Sequence, residues 1–318
     1  MPQQYGTIQA AIDAARSGDT VLVAPGTYFE NLSISKSLTP RSTAGATDTT
    51  IDGQRTRVVV EVRGTGTETV VISGFTITNG LQANTFQSGG IYLDTVIAEI
   101  SDNVIRNNSG CLGSGISTTT AAVTIVRNRI ADNAQDPVCS GAGGGGMFLN
   151  GDGPGASLVA NNVVSGHSVG GGGAGIAAQA MNQLTIRENL IKDNAANDGP
   201  GGGILFSIGS AVISGNVLVN NSAQSGGAMA LLPVDNADRL VVRSNVMGQN
   251  QASLDASAVY LVTVSQQGLQ MVQNVIDGNS AVALVRCDGT EYQVSPSNRL
   301  RNGGGPALSG ACVSPKGQ

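Results

Sequence analysis

An asparagine returns along this chain as Asn103, Asn128, Asn162, Asn189, Asn216, Asn245 and Asn274, at intervals of 25 to 34 residues. Five residues after each stands a second polar residue: Asn108, Asn133, His167, Asn194, Asn221, Asn250 and Asn279. Apolar residues keep step with them. Three before the first asparagine come Ile100, Ile125, Val159, Ile186, Ile213, Val242 and Met271, and two after it come Ile105, Ile130, Val164, Ile191, Leu218, Met247 and Ile276. A further apolar segment with alternating character precedes each unit, as in "IYLDT" from Ile91, "MFLN" from Met147, "ILFS" from Ile204 and "VYLVT" from Val259. The period is too long for a heptad, and the alternation is that of a strand.

Units of about this length, each with three short strands and stacked in register, describe an all-β parallel β-helix, and the crossover rule makes its coil right-handed. The stretch "RENLIKDNAANDGPGGGILF", residues 187–206, then reads as one rung: Asn corner, strand, polar corner, loop, glycine bend, strand. The recurring asparagines are expected at left-handed corners, with their amides bonded up and down the stack. The glycines are expected where a Cβ would crowd the neighbouring coil. About nine rungs at ~4.8 Å give a rod of about 45 Å. "TIQAAIDAARSGDT" puts Ile8, Ala11, Ile12 and Ala15 on one face of a short N-terminal helix, which caps the open end. The expected organisation is one continuous domain: cap and first strands over 1–45, rungs over 46–290, a C-terminal rung and cap over 291–318.

Composition fits a repeat and excludes some partners. The chain of 318 residues has 45 glycines, no tryptophan, 12% charged residues and a net charge of -5, without a Lys/Arg cluster. Nucleic acid and anionic membrane surfaces need a basic face, so neither is expected. No apolar run of about 18 residues would span a membrane. The start "MPQQYGTIQA" lacks the basic and apolar regions of a signal peptide, so a leader is expected to have been trimmed or never present.

"TIQAAIDAA", "GDTVLVAPGTYFE" and "LSISKSLT", continued by "TIDGQRTRVVVEV" and "VVISGFTITNG", resemble the first segment of the pectin-lyase-like superfamily of right-handed β-helices, pectin methylesterases above all. "NNSAQSGGAM" is similar to the Gly-Gly-Ala-Ile repeats of polymorphic outer-membrane adhesins, although "LVNN" stands where their Phe-x-x-Asn motif would be. The first resemblance implies a polysaccharide cleft on the outer face of the third strand of each rung. The ligand-binding face is then Tyr92, Asp94, Phe148, Asn150, Gln179, Ser207 and Tyr260, with Ser117, Thr119, Ala177, Leu205, Ala230, Leu232 and Val262 between them. In that set Asp94 is the one carboxylate, and Lys, Arg and His are absent. Lyase chemistry needs a base and a cation, and hydrolysis needs two placed carboxylates. Neither set is expected on this face, nor is the aspartate pair with an arginine that the resemblance to esterases implies. "SGHS" is only an approximate counterpart of the polygalacturonase-like "GHG".

The remaining candidate catalytic residues are His167, Arg187 and Lys192, in the central rungs. His167 falls in the second asparagine column, so a place in a hydrogen-bonded ladder is its simplest role. "GGGGAG", residues 170–175, occupies the same bend as "GGG" at 201–203 and "SGG" at 225–227, not the strand-to-helix turn that a dinucleotide needs. No cofactor is expected. Calcium serves several β-helix enzymes, but neither its nonapeptide repeat nor an EF-hand loop is present, no metal ligand set is assigned, and Asp136, Asp152, Asp198, Asp235 and Asp238 read as turn residues. Cys111 and Cys139 fall in one loop of consecutive rungs. Cys287 and Cys312 follow the third strand of the last two, as "ALVRC" and "ALSGAC" align. Sequential disulfides and an extracellular or periplasmic location follow, with two pairs of buried thiols as the alternative.

Three functional classes fit. The first is a secreted or cell-surface β-helix, expected to be a monomer, that binds an extracellular polysaccharide or a cell-surface partner or is structural. The second is a polysaccharide lyase, esterase or hydrolase. The third is a repeat segment of a longer protein. Whether loops 134–146 and 232–239 cover the groove is a question for the structure.

Overall fold

The computed structural model describes residues 4–82, 88–139, 141, 143–151, 153, 155–234, 239–263, 268–280, 283–301 and 306–314. Its strands stack in parallel from turn to turn. A first stack runs through Thr69–Ser73, Ile97–Ser101, Ala122–Val126 and Ser157–Ala160, and a second through Thr76–Thr78, Val104–Arg106, Arg129–Ala131 and Val163–Ser165. A third runs through Val60–Arg63, Ile91–Asp94, Ile116–Thr119 and Met147–Asn150. All three continue toward the C-terminus. In two central turns the third and first strands fuse into single long strands, Ile176–Arg187 and Ile204–Ser214. The second stack is an eleven-stranded sheet, and the coil makes about ten turns, one more than the repeat alone suggested. A fourth, seven-stranded stack of segments as short as Ser109–Gly110 lies where the sequence suggested only a loop.

The core is a set of columns along the axis. In the third stack the inward positions are Val62, Leu93, Thr118, Leu149, Ala178, Phe206, Leu231 and Leu261, all buried, and the next member of the column is Cys287. Leu284 is buried as well but stands outside this column, because Val285, not Leu284, pairs with Val259. Buried aliphatic area of this kind, at about 25 cal/mol per Å², is what holds a chain that is only 3% aromatic.

The corners depart from expectation in one respect. The ladder asparagines are not themselves in the left-handed conformation. That conformation belongs to the residue just before each: Asp102, Arg127, Asn161, Glu188, Ser244 and Gln273 before the first ladder, and Asn107, Asp132, Asp193, Asn220 and Gln249 before the second, all with φ between 54° and 58°. The bend needs one left-handed residue, which can point outward. The buried amide needs a fixed position facing inward, so the two tasks fall on neighbours. The glycine bends are as expected: Gly113, Gly144, Gly173, Gly201 and Gly226 sit one above another with φ of 58° to 73°. A Cβ at Gly201 would lie 2.4 Å from the Ile204 carbonyl oxygen. "GGGGAG" is therefore part of this bend.

The helix Ile8–Ala14 closes the N-terminal end, burying Ile8, Ala11 and Ile12. Thr7 caps it, and the Glu30 carboxylate accepts from the Ile8 and Gln9 amides at 2.8 and 2.9 Å. These bonds satisfy donors that a helix leaves open.

Candidate functional site

The two ladders show what the recurrent polar residues do. In the first, from Asn128 onward, Oδ1 of each asparagine accepts the backbone and side-chain N–H of the asparagine one turn earlier. Asn189, for example, donates from N and from Nδ2 to Oδ1 of Asn216, both at 3.0 Å, and its Nδ2 also reaches the Val159 carbonyl at 2.9 Å. The ladder runs one turn further than the sequence columns, to Asn298. Its signal was the asparagine 24 residues after Asn274, at the short end of the repeat spacing.

His167 occupies an asparagine's place in the second ladder and is fully buried. Its Nδ1 lies 3.2 Å from the Asn133 backbone nitrogen and 3.1 Å from the Asn133 carbonyl, and Nε2 lies 3.2 Å from the Ile130 carbonyl; a proton on Nε2 gives both the Ile130 carbonyl a donor and the Asn133 N–H an acceptor, so that tautomer is assigned. Nδ1 thus replaces an amide oxygen and Nε2 an amide nitrogen. Desolvation lowers its pKa to about 4. A ring with both nitrogens engaged inside the coil does not reach a substrate on the surface. Arg187 pairs with Glu188, and Lys192 with Asp193 at 3.2 Å, both pairs facing solvent beside the ladder corner rather than on the third stack. Such exposed pairs contribute under about 1 kcal/mol each.

The outward face of the third stack brings the other candidates together and adds residues that were missed. Tyr92 pairs in register with Glu61 and Asp94 with Arg63; at the other end Tyr260 pairs with Arg286 and Val262 with Asp288. The face therefore carries arginines and further carboxylates, against the expectation of Asp94 alone. Alternation along "VVVEVR" would have placed Glu61 and Arg63. At the N-terminal end Arg63 donates from Nε to Glu61 at 2.7 Å and from Nη1 to Asp94 at 2.8 Å, with its guanidinium 4.9 Å from the centre of the Tyr92 ring. At the C-terminal end Arg286 bridges Asp255 at 2.9 Å and Asp288 at 3.0 Å, and the Tyr260 hydroxyl donates to Asp288 at 2.8 Å. Burial, reinforced by that bond, pushes the Tyr260 hydroxyl up to about 12, which keeps it protonated. Seven strand pairings, at about 4.8 Å each, separate the strand of Asp94 from that of Arg286, or about 34 Å.

Between the two clusters the face is uncharged. Gln179 Nε2 donates to Asn150 Oδ1 at 3.1 Å, while Ser117, Ala177 and Ala230 are buried. A cleft of about 300 Å³ opens beside Phe148, Gln179, Leu205 and Ser207. Leu112, Gly141 and Gly143 form its far wall, so the 134–146 loop does border the groove. Residues 235–238 of the other loop, with Asp152, lie outside the described residues. Among the described residues no three His, Cys, Asp or Glu side chains are grouped so as to hold a metal.

Both expected disulfides are present, Cys111–Cys139 and Cys287–Cys312, with Cα atoms 5.4 and 5.0 Å apart. Cys287 stands opposite Gly310 rather than opposite Cys312. The strand bends at Gly310 and brings Cys312 within reach.

With this geometry in place, comparison with known proteins is specific about the fold. Residues 58–232, more than half of the chain, match the family described as "Right handed beta helix region". The chain belongs to this family. Among curated proteins, a cell surface glycoprotein of Methanothermus fervidus is 30% identical to this β-helix over 106 residues, which is 32% of the chain but only 16% of the glycoprotein. Among solved structures, an alginate lyase from Paenibacillus sp. str. FPU-7 superposes with a TM-score of 0.47 at 15% identity, covering 96% of this chain and 95% of the lyase. The mannuronan C-5 epimerase AlgE6 A-module of Azotobacter vinelandii gives 0.34 at 14% identity, covering 98% and 95%. No helix among the described residues is long and apolar enough to cross a membrane.

Proposed function

We propose that this β-helix is an extracellular or surface-displayed, monomeric protein that binds a polysaccharide strand along the outward face of its third stack, without chemistry of its own. The observation that carries the reading is the long uncharged track between the two arginine clusters, with a cleft at Phe148, Gln179, Leu205 and Ser207. Its side chains offer apolar surface with a few amide and hydroxyl groups, the usual make-up of a small-ligand site. Two disulfides support an oxidising location, and the partial similarity to a cell surface glycoprotein supports display outside the cell. The test places an arginine on either of two faces. Ser207→Arg, in the groove, should abolish retention on glycan-coated beads, and Val217→Arg, on the exposed face of the second stack, should leave it unchanged. Equal binding by both variants refutes the groove.

A second reading, a polysaccharide-active enzyme, is favoured by one observation: Glu61, Arg63 and Asp94 converge on the groove, as do Asp255, Arg286 and Asp288. Each arginine already faces two carboxylates, whose charges more than offset its own and weaken it as a partner for a developing negative charge. Incubation with pectin, alginate, glycosaminoglycans and neutral glycans, with and without Ca²⁺, separates the readings. Turnover above about 1 s⁻¹, scored as unsaturated-uronate absorbance or new reducing ends, would establish the enzyme.

A further inference from the structure

The charges that flank the groove say which glycans it accepts. At the N-terminal end two carboxylates, Glu61 and Asp94, meet one guanidinium, Arg63. At the C-terminal end two carboxylates, Asp255 and Asp288, meet one guanidinium, Arg286. Each cluster carries one negative charge in surplus, because each guanidinium is faced by two carboxylates. The side chains between them on the third stack, Ser117 to Leu232 in register, contain no ionisable group. A polyuronate laid along this track would place its carboxylates over a surface with no cation to receive them and run toward net negative ends. Desolvating an unpaired charge there is costly, and like charges add repulsion.

The groups that are available suit hydroxyls. Asn150 and Gln179 bond to each other through one atom each, which leaves a donor, Asn150 Nδ2, and an acceptor, Gln179 Oε1, on the same amide pair. A donor beside an acceptor can hold two neighbouring hydroxyls of a sugar, each hydroxyl being both donor and acceptor. Phe148 and Leu205, in register on either side of Ala177 and both lining the cleft, present apolar surface to the C–H face of a ring. We infer that the groove binds glycans without acidic groups and excludes polyuronates, the selection resting on the two overcharged carboxylate–arginine clusters at its ends and the uncharged track between them. The inference depends on the groove binding polysaccharide at all.

The experiment uses the whole chain in affinity gel electrophoresis against neutral glucan, galactomannan and chitosan on one side, and alginate and polygalacturonate on the other, at low salt and in 0.5 M NaCl. The expected result is retardation by at least one of the non-acidic glycans and none by the polyuronates at low salt. Phe148→Ala and Gln179→Ala should each weaken retardation about tenfold, with melting temperature unchanged. A variant with Glu61→Gln, Asp94→Asn, Asp255→Asn and Asp288→Asn frees both arginines and should gain salt-sensitive retardation by alginate. Polyuronate retardation of the unaltered protein that Phe148→Ala abolishes would overturn the selectivity and keep the groove. Retardation by no glycan, or retardation that neither Phe148→Ala nor Gln179→Ala changes, would overturn both.

Discussion

His167 shows how a single side chain can set the acid limit of a solenoid. Buried among ladder amides, its ring is neutral in the folded chain, with a pKa near 4 against 6.5 in the unfolded one. The unfolded state binds the extra proton between those values, so the contribution is complete above pH 6.5 and lost as pH falls toward 4, by about 3 kcal/mol. Chemical denaturation at pH 7 and pH 4.5 should show that loss. His167→Asn should abolish most of the difference, and an unchanged pH slope in that variant would mean that other groups set the limit. The ladder amides themselves are tested by Asn216→Ala. This change removes the acceptor of the Asn189 backbone N–H and one of the acceptors of its Nδ2, and takes the Nδ2 donor from the Ile186 carbonyl, in a dry interior, at an expected cost of about 2–5 kcal/mol in urea unfolding.

Strands in this coil have two faces, and neighbouring residues on one strand should respond oppositely. Leu231 is fully buried in the third-stack column, while Leu232 points outward and is partly exposed. Leu231→Asp should cost about 3–5 kcal/mol by burying an unpaired charge, and Leu232→Asp under about 1 kcal/mol. A melting temperature that falls equally in both would contradict the register. That register was legible in the sequence because a buried amide is best satisfied by the same amide one turn away, which forces asparagine into columns. What stayed hidden lies where the columns stop. The strand Val60–Arg63 belongs to a turn in which Phe75 N, not an asparagine, meets Asn103, so the asparagine columns did not frame Glu61 and Arg63 as groove residues, and only the alternation of their own strand pointed to them. Arg286 and Asp288 lie between Asn274 and Asn298, where the spacing contracts to 24 residues. The fourth stack escaped for another reason: two-residue strands such as Ser109–Gly110 are too short to show a period.

The rod is stapled at two levels, by Cys111–Cys139 after the fourth and fifth strands of the eleven-stranded stack and by Cys287–Cys312 at the C-terminal end, over separations of 28 and 25 residues. Loops of that size correspond to about 3–4 kcal/mol each in the chain-entropy account. Protein from an oxidising compartment should gain four hydrogens in mass on reduction and melt at a lower temperature afterwards. Four free thiols in such material would remove a main support for the extracellular location. The first ladder has a further consequence at this scale. From Asn103 to Asn274 each amide turns its oxygen toward the preceding turn and an N–H toward the next. Strand backbones in a sheet largely cancel their dipoles, but these side-chain dipoles all point one way and add. The ladder therefore has an electrical direction of its own, negative toward the helix-capped end and positive toward Asn298, laid along the axis inside the coil.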